Sequence, residues 1–288
     1  MSPLPCQWEF LLPEQFRQAV DALPVAFLPL GTVEWHGEYN ALGLDALKAH
    51  RLCVLAAEKA GGGIVHPPVY GGMGGLNEPA TVRIEEEDAW ENTLLRPWLE
   101  RLCGEFHRLG FRAIVMLTGH YGHNQQIVVR EVGARMTERL QIPVLGTPEY
   151  WLAQDAGYLG DHAGVGETSL LWYLRPELVD LARLNPRSDS EKRTLEQSSQ
   201  QLGERYANLI TDRLARLARS MPSWTDAHRA AFVRAERSLV TAQVTGWRKE
   251  HAWAAWRKAF SGEQTTYGAL LADERFGDIE RLASALYP

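Results

Sequence analysis

Apolar and polar positions follow two regimes along the first half of the chain. "VAFLPLG" (25–31), "RAIVMLTG" (112–119) and "IPVLGTPEYW" (142–151) are unbroken or nearly unbroken apolar runs, and each reads as a buried strand. "IVHPPVYGG" (64–72) reads as a shorter strand and a turn. Between them, apolar residues recur at helical spacing. "LDALKAHRLCVLAAEKAGGG" (44–63) predicts a helix stopped by three glycines, and "NQQIVVREVGARMTERL" (124–140) predicts another. The stretch 85–111 opens on acids and spaces Trp90, Leu94, Trp98, Leu102 and Phe106 four apart, an amphipathic helix with its acids at the favourable end. Pro97 is expected to kink it. Strands that are apolar throughout, alternating with helices, predict an α/β fold: a layered, mostly parallel sheet with helices on both faces. Ligands in such folds gather outside the carboxyl ends of the strands.

The pattern changes at Pro186. "PRSDSEKRTLEQSSQ" (186–200) is polar, and the chain from there to residue 258 is helix-forming, with Trp253 and Trp256 three apart. Residues 1–185 therefore read as an α/β core and 186–288 as a helical C-terminal elaboration of the same domain. The tryptophans are expected in a core or a subunit contact.

Composition narrows the function classes. The chain has 288 residues, 45% hydrophobic and 23% charged, which is enough to bury a full core without disulfides or a structural metal. A net charge of -6 gives no general attraction to nucleic acid or to an anionic membrane. Cys6, Cys53 and Cys103 stand apart without a CxxC pair, so reduced, buried thiols are expected. The start carries no signal-peptide pattern and no run reaches the length of a membrane span, so a cytoplasmic protein is expected.

Residues able to hold a metal cluster where the strands end. Glu34 and His36 lie two apart in "EWHGEYNALGLD", so an extended segment turns both to one side, and Asp45 opens the next helix. "TGHYGHN" puts His120 and His123 just past a strand, and "GDHAGVGETSLLWYL" sets Asp161, His162 and Glu167 around two glycine turns. Each has a plainer reading: Asp45 as a helix cap, Glu167 as a first-turn acid facing the helix dipole, each histidine as a turn residue. What argues for a metal is that all four places fall on the ligand edge of one sheet. Imidazole and carboxylate without thiolate suit zinc, manganese or iron(II). A carboxylate between two cations would hold them about 3.5–4 Å apart with a water activated between them, and Asp45 is placed to be that bridge.

Three motifs together, "LPLGTVEWHGEYNALGLD", "LTGHYGHN" and "DHAGVGETS", resemble the creatininase family of metal-dependent amidohydrolases, in the same order over about the first two-thirds of the chain. The resemblance implies a layered α/β fold, two divalent metals per subunit, a small-molecule substrate and a homo-oligomer, often a hexamer. It implies that Glu34, Asp45 and His120 hold one metal and His36 and Asp45 the other. Creatininase has a glutamate where this chain has Gly122, so Glu167 is expected to complete the second position. His162 would then shuttle the proton to the leaving nitrogen, with Tyr121, His123 and Asp161 facing the substrate. The expected reaction is hydrolysis of a C–N bond in a small cyclic amide or a related amide. Ring opening of a cyclic keto-inositol or other carbohydrate is the alternative chemistry, and a catalytically inactive oligomeric scaffold the alternative class.

Overall fold

A computed structural model describes residues 6–72, 78–82, 90–250 and 266–286. Its strands are β1 (Val25–Leu30), β2 (Ile64–Val65), β3 (Ala113–Thr118) and β4 (Val144–Pro148). They form one parallel sheet in the order β2-β1-β3-β4. The crossovers are α2 (Leu44–Ala60), α3 (Arg96–Arg108) and α4 (His123–Leu140), with α1 (Pro13–Ala22) before the first strand. Beyond β4 come α5 (Val165–Leu174), α6 (Asp189–Gln197), α7 (Gln200–Ser220), α8 (Asp226–Glu250), α9 (Tyr267–Ala272) and α10 (Phe276–Leu286).

The apolar strand runs are explained by the layers they separate. Val25 and Phe27 of β1, with Val115, Leu117 and Leu145, face a core built with α2, α5, α7 and α8. Ala26, Leu28 and Leu30, with Ile114, Met116 and Val144, face a second core built with α1, α3 and α4. Alternate residues enter opposite cores, so every strand position must be apolar. Pro29 sits in a central strand without breaking the ladder. Its carbonyl and the Gly31 amide face Val69, past the point where β2 ends, so no strand bond needs the missing N–H.

Helices from the C-terminal elaboration share the first core: Ile210, Leu214, Phe232, Tyr267 and Ile279 pack in the same cluster as Val25 and Phe27. Arg130 of α4, fully buried, donates to Glu236 of α8 at 2.7 Å and lies over the rings of Trp151 and Tyr267 at 4.0 and 4.6 Å. Trp253 and Trp256 lie outside the described residues. Pro97 stands in the first turn of α3, and residues 90–95 directly before it wind as a π-helix, a local departure from the α-helical ladder where the proline lacks its N–H. Cys53 and Cys103 are buried and Cys6 partly so; all three are free thiols. Among the described residues no helix is long and apolar enough to cross a membrane.

Candidate metal centre

The start of α2 is laid directly on the ends of two strands. A Cβ on Gly31, after β1, would meet the Ala46 backbone nitrogen at 2.2 Å, and one on Gly119, after β3, would meet the Asp45 carbonyl oxygen at 2.1 Å. Only glycine at both places lets the helix come this close. Asp45 then enters the centre of the sheet edge instead of capping its helix; Gly43 is the N-cap, and no side chain caps there.

Around Asp45 the other acids and imidazoles converge. One Asp45 oxygen, Oδ1, is 3.2 Å from His36 Nε2, while the other, Oδ2, is 3.1 Å from His120 Nδ1. Glu34 Oε1 is 3.0 Å from His120 Nδ1 and 3.8 Å from both His36 Nε2 and His162 Nδ1. Glu167 Oε2 is 3.7 Å from His36 Nε2. Three groups thus bring ligand atoms within 4.8 Å of one another: Glu34 with Asp45 and His120, His36 with Asp45 and Glu167, and Glu34 with His36 and His162. All are buried except His162, whose side chain is 35% exposed and whose ring lies on that of His36 with centroids 4.5 Å apart.

The donor set fits a cation. His36 Nδ1 lies 3.1 Å from the Glu34 carbonyl oxygen, which can only accept, so Nδ1 carries the hydrogen and Nε2 turns its lone pair toward three carboxylates. His36 Nε2 and Asp45 Oδ1 are buried without a hydrogen-bond partner. Lone pairs facing carboxylates repel unless a proton or a metal lies between them. Without metal, protons take that place. Burial opposes a charged His36 ring, but Asp45, Glu167 and Glu34 outweigh it and hold its pKa at about 9. Burial likewise opposes charge on His120, yet Asp45 and Glu34 raise it to about 10. Asp45 itself is held well below the usual carboxylate range, burial notwithstanding, by His36 and His120.

Glu167 reaches the cluster from the first turn of α5, and its Oε2 accepts from the Ala163 amide at 2.8 Å. At Gly122 the His120 ring lies close against the backbone: a Cβ there would meet Nε2 at 2.6 Å, so a side chain would require the ring to shift.

Three expected substrate-facing residues have other contacts. The Tyr121 hydroxyl points into the protein, where it accepts from Lys48 at 2.9 Å and donates to Glu149 at 2.5 Å, with Tyr158 donating to it at 2.5 Å. The Asp161 carboxylate accepts from the amides of Gly166 (2.7 Å) and Glu167 (3.0 Å), so it ties the start of α5. His123 is the first residue of α4, and burial lowers its ring pKa to about 4.

Beneath the metal-capable cluster lies a group that the sequence did not single out. Lys48, fully buried, sets its ammonium 3.0 Å from Glu149 and against Glu167, with which it forms a short hydrogen bond. Burial pushes Glu149 up to about 7, although Lys48 and Tyr121 pull it back. Two signals could have found this pair. Lys48 is three residues after Asp45, on the helix face that holds Ala49 and Leu52, and Glu149 directly follows β4 on the ligand edge.

Known proteins resemble this chain in sequence and in fold. The model of the creatininase family, described as creatinine amidohydrolase, matches residues 11–216. A creatinine amidohydrolase from Pseudomonas putida is 29% identical over 185 residues, which cover 56% of this chain and 68% of that protein. A putative creatinine amidohydrolase from Bacteroides fragilis superposes with a TM-score of 0.62 at 22% identity, over 77% of this chain and 98% of that one. A creatininase variant in a zinc–zinc form gives 0.61 at 24% identity, over 75% and 98%.

Proposed function

The chain belongs to the creatininase family, and on that premise we propose that this metal-dependent hydrolase uses a two-metal centre to cleave a C–N bond in a small cyclic amide or a related amide. The observation that carries the two-metal reading is Asp45. Its two oxygens face two different imidazoles, at 3.2 Å for His36 and 3.1 Å for His120, which is the disposition of a carboxylate shared between two cations.

Glu34, Asp45 and His120 would hold one metal, and His36, Asp45 and Glu167 the other. Bound there, zinc or manganese would supply a water of lowered pKa and a Lewis acid for the amide carbonyl. The chain's own residues supply the rest. The Glu34 carbonyl fixes the His36 tautomer, and Lys48 holds Glu167 from behind so that its other oxygen stays turned to the site. His162, at the open side of the cluster and 3.8 Å from Glu34, can carry a proton to the departing nitrogen, which amide cleavage requires. Its partial exposure suits a group that must meet both substrate and solvent.

The test is elemental analysis of the purified protein beside Asp45→Ala. About two metals per subunit in the wild type, with most of both lost in the variant, is the expected result for a bridging carboxylate. A wild type that takes up no zinc or manganese would overturn the reading.

A further inference from the structure

We propose that Tyr39 is a positioning residue for His162: its hydroxyl holds the carbonyl of Ala163 and thereby the strained turn that sets the imidazole over His36. The proposal takes from the preceding reading only that His162 serves the reaction.

Ala163 directly follows His162 and has φ 52°, in the left-handed region that alanine occupies only when its surroundings impose it. Both of its peptide groups are engaged. Its amide donates to Glu167 Oε2 at 2.8 Å, and its carbonyl accepts from the Tyr39 hydroxyl at 2.6 Å across 124 residues of sequence. A weaker donor, the Thr168 hydroxyl, lies 3.4 Å from the same carbonyl. Tyr39 is 6% exposed and packs with Ala163, Leu181 and Leu184, so water has little access to compete for this bond.

Tyr39 is well placed to bear on the turn. Gly37, at φ 71°, bends the loop after His36 back on itself, and a Cβ there would strike the Tyr39 ring at 2.4 Å. The Tyr39 carbonyl accepts from the Asp180 amide at 2.8 Å, and the Ala41 amide donates to the Leu178 carbonyl at 3.1 Å. The next residue, Asn40, donates to the Thr168 hydroxyl at 3.0 Å and to the His36 carbonyl at 3.2 Å. The segment carrying the ligands Glu34 and His36 is therefore fixed on both sides of Tyr39, and the hydroxyl transmits that fixed position to the turn carrying His162.

These anchors make Tyr39→Phe a clean perturbation, because the backbone around residue 39 stays pinned when one oxygen is removed. The experiment compares wild type, Tyr39→Phe and Tyr39→Phe/Ala163→Gly by hydrogen–deuterium exchange and by carbethoxylation of His162 with diethyl pyrocarbonate, both read by mass spectrometry. Losing one buried hydrogen bond should speed exchange over residues 160–167 about tenfold and speed His162 labelling with it, while the rest of the chain exchanges as before. Glycine accepts the left-handed conformation without strain, so the double variant should return most of the way to wild type. Unchanged exchange at 160–167, a uniform rise along the whole chain, or no recovery in the double variant would each overturn the proposal. Metal content is measured on all three proteins beside the exchange, because Glu167 lies in the turn's hydrogen bonding, and the wild-type content decides the hydrolase reading separately.

Discussion

Replacing Lys48 with methionine keeps most of the unbranched apolar stem and deletes the charge, leaving Glu149 and Glu167 buried side by side with no ammonium between them. Two lines give the magnitude. At an effective dielectric near 20, opposite charges 3.0 Å apart, as Lys48 and Glu149 are, attract by about 5 kcal/mol. Removing one member of a buried pair costs about 3–5 kcal/mol in general. The cost depends on pH in a definite direction. Glu149 has a folded-state pKa raised to about 7, so its contribution to stability is most favourable below its unfolded value and is lost as pH rises through 7. Without Lys48 that pKa climbs further. At pH 8 the variant must hold a proton on Glu149 that the wild type has released, and its cost is about 3 kcal/mol, whereas at pH 5.5 Glu149 is protonated in both proteins and about 1–2 kcal/mol of lost hydrogen bonding remains. At roughly 2–4 °C per kcal/mol for a chain of this order, Tm should fall by about 10 °C at pH 8 and by about 4 °C at pH 5.5. Calorimetry on chelator-treated protein reads this directly. Equal decrements at the two pH values, or a fall of only about 1 °C at pH 8, would refute the reasoning. Adding Glu149→Gln to the variant should recover part of the loss.

Metal-free protein should lose stability between pH 7 and 10, because His36 and His120, raised to about 9 and 10, bind protons more tightly folded than unfolded. Protein saturated with zinc should not show that fall, so melting curves of the two forms should separate as pH rises; parallel curves would count against the ligand set. Zinc uptake should release protons, seen as a buffer-dependent heat in titration calorimetry at pH 7.5. Arg130→Met leaves Glu236, among the described residues, buried with the Tyr267 hydroxyl at 2.8 Å, and should cost about 3–5 kcal/mol in urea unfolding, with Arg130→Met/Glu236→Gln costing less.

The sheet could be read from the sequence because its strands are covered on both faces, which forces every residue from Val25 to Leu28, and from Ala113 to Leu117, to be apolar. The short runs carry that constraint without any long-range information. The acids and imidazoles were legible for a related reason: they sit immediately past strand ends, where a parallel sheet offers its ligand edge. Lys48 escaped because a lysine in an amphipathic helix ordinarily covers apolar surface and reaches water. Its spacing from Asp45 puts it on the buried face of α2, but its partners Glu149 and Glu167, one past β4 and the other in α5, lie far along the chain. The roles of Tyr121 and Asp161 depend on ring direction and loop path. Residues 120–122 say that a tyrosine follows a histidine, but not that its hydroxyl turns inward to Tyr158. The π-helical turn before Pro97 leaves no mark in the apolar spacing.

The close seating of α2 on Gly31 and Gly119 divides the labour of this protein in space. Asp45 and Lys48 ride on one helix that has no slack against the ends of β1 and β3, so this side of the cluster inherits the stiffness of the sheet. The rim is different: the His162 turn belongs to a loop between α5 and the strands, attached by a few side-chain bonds. A change in that loop would therefore shift His162 and the bond from the Ala163 amide to Glu167, while Asp45 and Lys48 keep their places.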